Sequence, residues 1–215
     1  MNKILQELQK YAYWVPPLQR RLDYIRQTEQ LSWWREQKPR FLPLPHLMKQ
    51  EILKGYASEY NLSTLVATGT YMGEMVEALR GSFEKDYSIE LSDQYTHRAR
   101  RYFRGQKNVK ILHGDSSDVI ATLMPKINKP ALFWLDGHWS ADQTARGKKS
   151  TPIMEELNHI LCADDLKHVI LIDDARSFGI SEDYPTIQEL KNFILSLRKN
   201  VKILNADDII RVVPE

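Results

Sequence analysis

Thr64–Leu79 reads TLVATGTYMGEMVEAL: a short apolar run, a turn punctuated by Gly69 and Gly73, and then a helical pattern. A strand that passes through glycines into a helix is the opening unit of an open α/β sheet, and the missing side chains let a ligand approach the backbone. The spacing is Gly-x-x-x-Gly. It matches neither G-x-G-x-x-G, which cradles a dinucleotide pyrophosphate, nor G-x-x-x-x-G-K-[ST], which cradles nucleotide phosphates.

Outward from this stretch the same alternation continues. Apolar runs TLVATG, DYSIEL, VKILHGD, ALFWLDG and HVILIDDA are separated by helical segments, and HLMKQEILKGYASEY precedes the first of them. Near-continuous apolar runs between amphipathic helices predict a parallel sheet covered on both faces. In the fourth helix Thr151 is placed as N-cap and Pro152 at the first helical position, followed by an Ile153, Leu157 and Ile160 stripe. The last two runs, VKILNA and DIIRVV, are too closely spaced for a helical crossover and are predicted to pair antiparallel. Residues 1–44 differ: helical pieces are broken by Pro16–Pro17 and KPRFLPLP, with Leu18, Leu22 and Ile25 at helical spacing and Trp33–Trp34 before the proline-rich link. They read as a helical cap on a 45–215 domain, with a lid or a homodimer contact as alternatives, because tryptophan is enriched at interfaces.

A chain of 215 residues accommodates one well-buried domain with an appendage. A formal charge of +2 gives no drive toward nucleic acid or a membrane surface, and no apolar run reaches the roughly 20 residues of a membrane helix. A single cysteine, Cys162, forms no intrachain disulfide, and its apolar setting ILCADD predicts a buried, structural thiol. MNKILQELQK lacks the apolar core of a signal peptide, so a cytoplasmic location is expected.

Ligands of open α/β sheets bind beyond the carboxyl ends of the strands. The first strand ends in Thr68, Gly69, Thr70, Tyr71 and Gly73; the second in Glu90, placed to accept the hydroxyls of a ribose; the third in Asp115, Ser116 and Ser117, placed to meet an adenine. In order and at the right ends, these point to a ligand with adenosine but no phosphates. At this point ATGTYMG, SIEL, HGDSSD, LDGH and IDDA resemble the successive motifs of class I S-adenosylmethionine (SAM)-dependent methyltransferases. Within that group they are most similar to metal-dependent O-methyltransferases of the catechol and macrocin types. The resemblance covers residues 45–215. It implies a doubly wound, mostly parallel seven-stranded sheet of order 3-2-1-4-5-7-6 with its last strand antiparallel, SAM as cofactor, and a small-molecule hydroxyl, such as that of a sugar or glycan, as acceptor. One position departs: Ala67 stands where the family usually has an acid that helps hold the methionine amino group.

The fourth and fifth runs end in Asp136 and in Asp173–Asp174. Adjacent strands lie about 4.8 Å apart, so these carboxylates can reach one hard cation, Mg²⁺ before Mn²⁺ or Ca²⁺; the resemblance also places metal ligands there. Helix caps or turn residues are the alternative. A metal would acidify the acceptor hydroxyl, and His138 is the first candidate for the general base, with Asp136 as the second. The polar loop WSADQTARGKKST follows, with Arg146 as a substrate contact. The arginines of HRARRYFRGQK read as a solvated helix face rather than a nucleic-acid surface. Three other readings compete. Methylation of a nucleobase amine would require an Asn/Asp-Pro-Pro-aromatic stretch in place of LDGH. A non-catalytic cofactor binder is suggested by Ala67, and a metal-dependent hydrolase by the aspartates.

Overall fold

The computed structural model describes residues 16–38, 41–136, 151–163, 166–180 and 184–215, with side chains from residue 20 onward. The chain divides into two compact units, Met1–Ile52 and Leu53–Glu215. The first contains α1 (Pro16–Glu36) and the start of α2 (His46–Glu59). Leu22 and Trp34 are buried, and the Trp34 indole donates to the Phe41 carbonyl at 2.5 Å. Buried Gln50 donates to Gln27 Oε1 at 3.1 Å, so the two amides satisfy one another. Trp33, the other half of the tryptophan pair, is exposed.

The second unit alternates strands and helices. Its elements are β1 (Thr64–Thr68), α3 (Glu74–Leu79), β2 (Lys85–Glu90), α4 (Asp93–Tyr102), β3 (Val109–His113), α5 (Ser116–Leu123), β4 (Leu132–Leu135), α6 (Ile153–Ala163), β5 (Val169–Ile172), α7 (Ile187–Leu197), β6 (Val201–Ala206) and β7 (Ile209–Pro214). They form one seven-stranded sheet of order β3-β2-β1-β4-β5-β7-β6. β1 through β5 pair in parallel, and β7 runs antiparallel to both β5 and β6. The fold class and strand order are those expected. Asp207 and Asp208, both at positive φ, make the tight connection between β6 and β7. Among the described residues no helix is long and apolar enough to cross a membrane.

Burial follows position in the sheet. Every residue of β1, β4 and β5 is buried, whereas the edge strands β3 and β6 expose alternate or most positions. Only central strands are covered on both faces, so the uniform burial expected of all the apolar runs holds at the centre and fails at the edges. One core is built by Val66, Ile89, Phe133, Leu135, Ile170 and Ile172 of the sheet against Ile120, Leu157, Ile160, Leu190 and Ile194 of α5, α6 and α7. Val76, Ala99, Phe103 and Ile111 form a smaller cluster.

Two side chains do not follow the apolar pattern. Asp86 in β2 is fully buried, and neither carboxyl oxygen has a hydrogen-bond partner among the described residues. Burial pushes its pKa up to about 7. Cys162 is exposed, contrary to expectation. Ile160 and Leu161 of the same helix turn inward, which leaves Cys162 on the outer face despite its apolar neighbours in sequence.

Candidate active site

The turn after β1 is held from below by Glu90, the last residue of β2. Its Oε2 accepts the Tyr71 backbone N–H at 2.7 Å, and its Oε1 accepts the Ser92 N–H at 2.9 Å. The side chain is buried. The carboxylate expected to meet a ribose therefore also ties the glycine turn to the start of α4. Each oxygen keeps lone-pair capacity for a further donor. The turn is conformationally special: Gly69 and Gly73 have φ of 75° and 80°, and Tyr71, a non-glycine, has φ of 45°. The Gly69 and Thr70 N–H groups donate to the Ile89 carbonyl, and the Thr70 hydroxyl lies 2.6 Å from the Ser88 hydroxyl. The Tyr71 ring meets Tyr95 edge-on with centroids 4.9 Å apart and is partly exposed at the turn.

Gly73 cannot be replaced without strain. A Cβ there would lie 3.1 Å from the Phe103 ring, on a backbone that L side chains rarely adopt. Gly73→Ala is expected to destabilise the domain by about 1–2 kcal/mol from the left-handed conformation alone, measured by denaturant unfolding. Unchanged stability would show that the turn relaxes freely.

At the end of β3, Asp115 caps α5: its Oδ1 accepts the Ser117 N–H at 3.1 Å and the Ser117 hydroxyl at 2.8 Å. The Ser116 hydroxyl hydrogen-bonds instead to the Glu156 carboxyl of α6. Between the first and fourth strands, the Thr68 hydroxyl accepts the Asp136 backbone N–H at 3.0 Å, which fixes where β4 ends. Thr68 is almost fully buried, so its role is to hold the neighbouring strand end.

Beyond β4 and β5 lies a small cavity, about 10 Å³, lined by Asp136, Asp173, Glu156, Thr151 and Tyr184 with apolar walls that include Ile153 and Phe178. α6 begins at Ile153, one residue later than the Thr151–Pro152 reading placed it, and the Thr151 Oγ1 accepts the Ile153 N–H at 3.3 Å just before that start. Glu156 and Tyr184 were not singled out by their sequence setting. Glu156 falls on the same α6 face as Ile153, Leu157 and Ile160, and that spacing is the signal that could have marked it as inward. Burial pushes the Glu156 carboxyl up to about 8, and the nearby Asp115 and Glu155 charges add to this. Burial likewise pushes the Tyr184 phenol up to about 12, with Asp174, Asp136 and Glu156 contributing.

Asp174 is placed differently from its neighbour. It sits at φ 56°, and its Oδ1 accepts from Arg176 Nη1 at 2.7 Å. Arg176 also pairs with Asp208, whose Oδ1 accepts the Arg176 N–H at 2.8 Å. The three aspartates expected to share a metal ion are thus split: Asp136 and Asp173 line the cavity, and Asp174 is drawn into an ion pair. Among the described residues no three His, Cys, Asp or Glu side chains are grouped closely enough to hold a metal ion. Asp136 and Asp173 are the two expected ligands that the cavity brings together. His138 and Arg146 lie outside the described residues.

No family model and no curated protein matches the chain. Solved structures do. The SAH-bound methyltransferase PaMTH1 of Podospora anserina is 16% identical with a TM-score of 0.56, covering 88% of this chain and 87% of that one. The O-methyltransferase TomG of Streptomyces achromogenes, involved in tomaymycin synthesis and in complex with SAM, is 15% identical with a TM-score of 0.56, over 88% and 89% of the two chains. An O-methyltransferase of Bacillus cereus in complex with SAH is 15% identical, again at 0.56, over 81% and 84%. At such identities the likeness is one of fold. This chain has the seven-stranded α/β fold shared by these SAM- and SAH-bound methyltransferases.

Proposed function

We propose that the protein transfers the methyl group of SAM to a hydroxyl of a small molecule, with a sugar or glycan hydroxyl as the leading acceptor class. The observation that carries this reading is the buried Glu90 carboxylate at the end of β2, bonded to the backbone of the Gly69–Gly73 turn. That arrangement supports an adenosine site bounded by glycine turn and carboxylate, in a fold whose solved examples include SAM- and SAH-bound methyltransferases. Asp115, Ser116 and Ser117 then stand at the adenine side. Tyr71 lines the site at the turn.

In the transfer, an acceptor oxygen attacks the sulfonium methyl carbon, the carbon–sulfur bond breaks and S-adenosylhomocysteine leaves as a neutral thioether. The hydroxyl proton passes to a base. Asp136, at the end of β4 beside the cavity, is one such base, and His138 is the other. Rate enhancement comes mainly from holding oxygen, methyl carbon and sulfur in line. These steps need no metal ion: Asp174 is paired with Arg176, and Asp136 or His138 takes the proton.

The test is incubation with methyl-labelled SAM and a panel of hydroxyl acceptors, with and without EDTA. The expected product is a labelled methyl ether formed at the same rate in both conditions. Label released only as methanol would favour hydrolysis instead, and turnover lost with EDTA would restore a metal to the site.

A further inference from the structure

Tyr95 stands on the first turn of α4, and its place in the sequence gives no sign of a role. In the fold it closes a circuit of contacts around the glycine turn. Glu90 Oε2 accepts the Tyr71 N–H at 2.7 Å, and Glu90 Oε1 accepts the Ser92 N–H at 2.9 Å. Ser92 caps α4, its hydroxyl accepting the Tyr95 N–H at 3.4 Å. The Tyr95 ring then returns to the turn. It meets the Tyr71 ring edge-on, with centroids 4.9 Å apart and planes at 62°, and the two phenols hydrogen-bond to one another.

This circuit divides the control of Tyr71 in two. Glu90 holds the backbone, which sits at φ 45°. A bond to the backbone N–H leaves χ1 free to choose among its staggered wells, so it does not aim the ring. The ring is 36% exposed, so the core encloses it only in part. An edge-on aromatic contact and a phenol hydrogen bond from Tyr95 together define a direction for it. We infer that Tyr95 is a positioning residue of the SAM site, holding the Tyr71 ring in the orientation that lines the turn before the ligand arrives. This rests on the methyltransferase reading for what the ring contacts, while the aiming of Tyr71 by Tyr95 stands on the geometry. A ring already in place spares the ligand the ordering of that side chain, an effect of about three- to ten-fold in affinity.

The test is a double-mutant cycle read by calorimetric titration of S-adenosylhomocysteine. Tyr95→Ala is expected to weaken binding about three- to ten-fold, and Tyr95→Phe, which keeps the ring contact, to recover most of the loss. On a Tyr71→Ala background, Tyr95→Ala is expected to add no measurable loss, because the ring it aims is gone. A residue that merely supports the fold would weaken binding equally on both backgrounds. In the unliganded protein, NMR three-bond couplings of Tyr71 are expected to report one χ1 rotamer in the wild type and averaging in Tyr95→Ala. Wild-type affinity in Tyr95→Ala, an equal loss with and without the Tyr71 ring, or a single Tyr71 rotamer in Tyr95→Ala overturns the assignment. If Tyr95→Ala does not fold, Tyr71→Phe and Tyr95→Phe decide. Each removes the shared phenol bond, so the double variant must lose no more than either single one, and additive losses overturn the assignment. S-Adenosylhomocysteine that fails to bind the folded wild type removes the methyltransferase reading and the SAM role with it, while the couplings still decide whether Tyr95 sets the ring.

Discussion

Glu90→Ala is expected to weaken S-adenosylhomocysteine binding by at least about a hundred-fold, because two hydrogen bonds to a buried carboxylate are worth about 1.5–3 kcal/mol each. The carboxylate has two tasks. It restrains Tyr71, whose φ of 45° is costly for a non-glycine, by accepting its N–H at 2.7 Å. In the proposed function its remaining lone pairs accept the ribose hydroxyls. Removing it releases the turn and, in the proposed function, deletes the ribose contact as well. Glu90→Gln keeps the size but turns one acceptor into a donor facing a backbone N–H, so an intermediate loss of about ten-fold is expected. Calorimetric titration of the three proteins, with folding checked by circular dichroism, decides. Wild-type affinity in Glu90→Ala would show that the turn shapes itself without Glu90, and the site would need another account.

The second large effect is on stability. Asp86 is buried and raised from 3.8 to about 7. The folded state therefore binds this proton more tightly than the unfolded chain does. Its contribution is most favourable below the unfolded pKa, is lost as pH rises from about 4 to 7, and is constant above that. A gap of about three units corresponds to about 4 kcal/mol at most. Asp86→Asn keeps the shape and removes the charge. It is expected to be more stable than the wild type by several kcal/mol at pH 8, with the advantage shrinking steadily toward pH 4. Denaturant unfolding of both proteins across this range measures the difference. A gap independent of pH would mean that Asp86 has solvent or a partner in the folded state.

These effects show where sequence reading succeeds and where it stops. The strand runs, the punctuation at Thr151–Pro152 and the short β6–β7 connection were legible because strand period and capping are local. The fate of individual acids was not. Asp173 and Asp174 are adjacent and look equivalent, yet Arg176 takes only Asp174, and it does so together with Asp208 from the far hairpin. Glu155 and Glu156 are likewise adjacent, and packing against α5 selects Glu156 alone to meet Ser116. Asp86 opens a run that otherwise reads as apolar, so its charge was hidden in the pattern. In each case the partner comes from a distant element and depends on tertiary contact. Glu90 lies between these extremes: its position at a strand end was evident, but its grip on the glycine turn was not.

The central claim is that the Gly69–Gly73 turn and Glu90 form a SAM site despite Ala67. The most direct test is calorimetric titration of SAM and S-adenosylhomocysteine into the wild-type protein. Low-micromolar binding of both, with one ligand per chain, is the predicted result. No heat of binding up to millimolar ligand, from protein shown to be folded, would contradict the account.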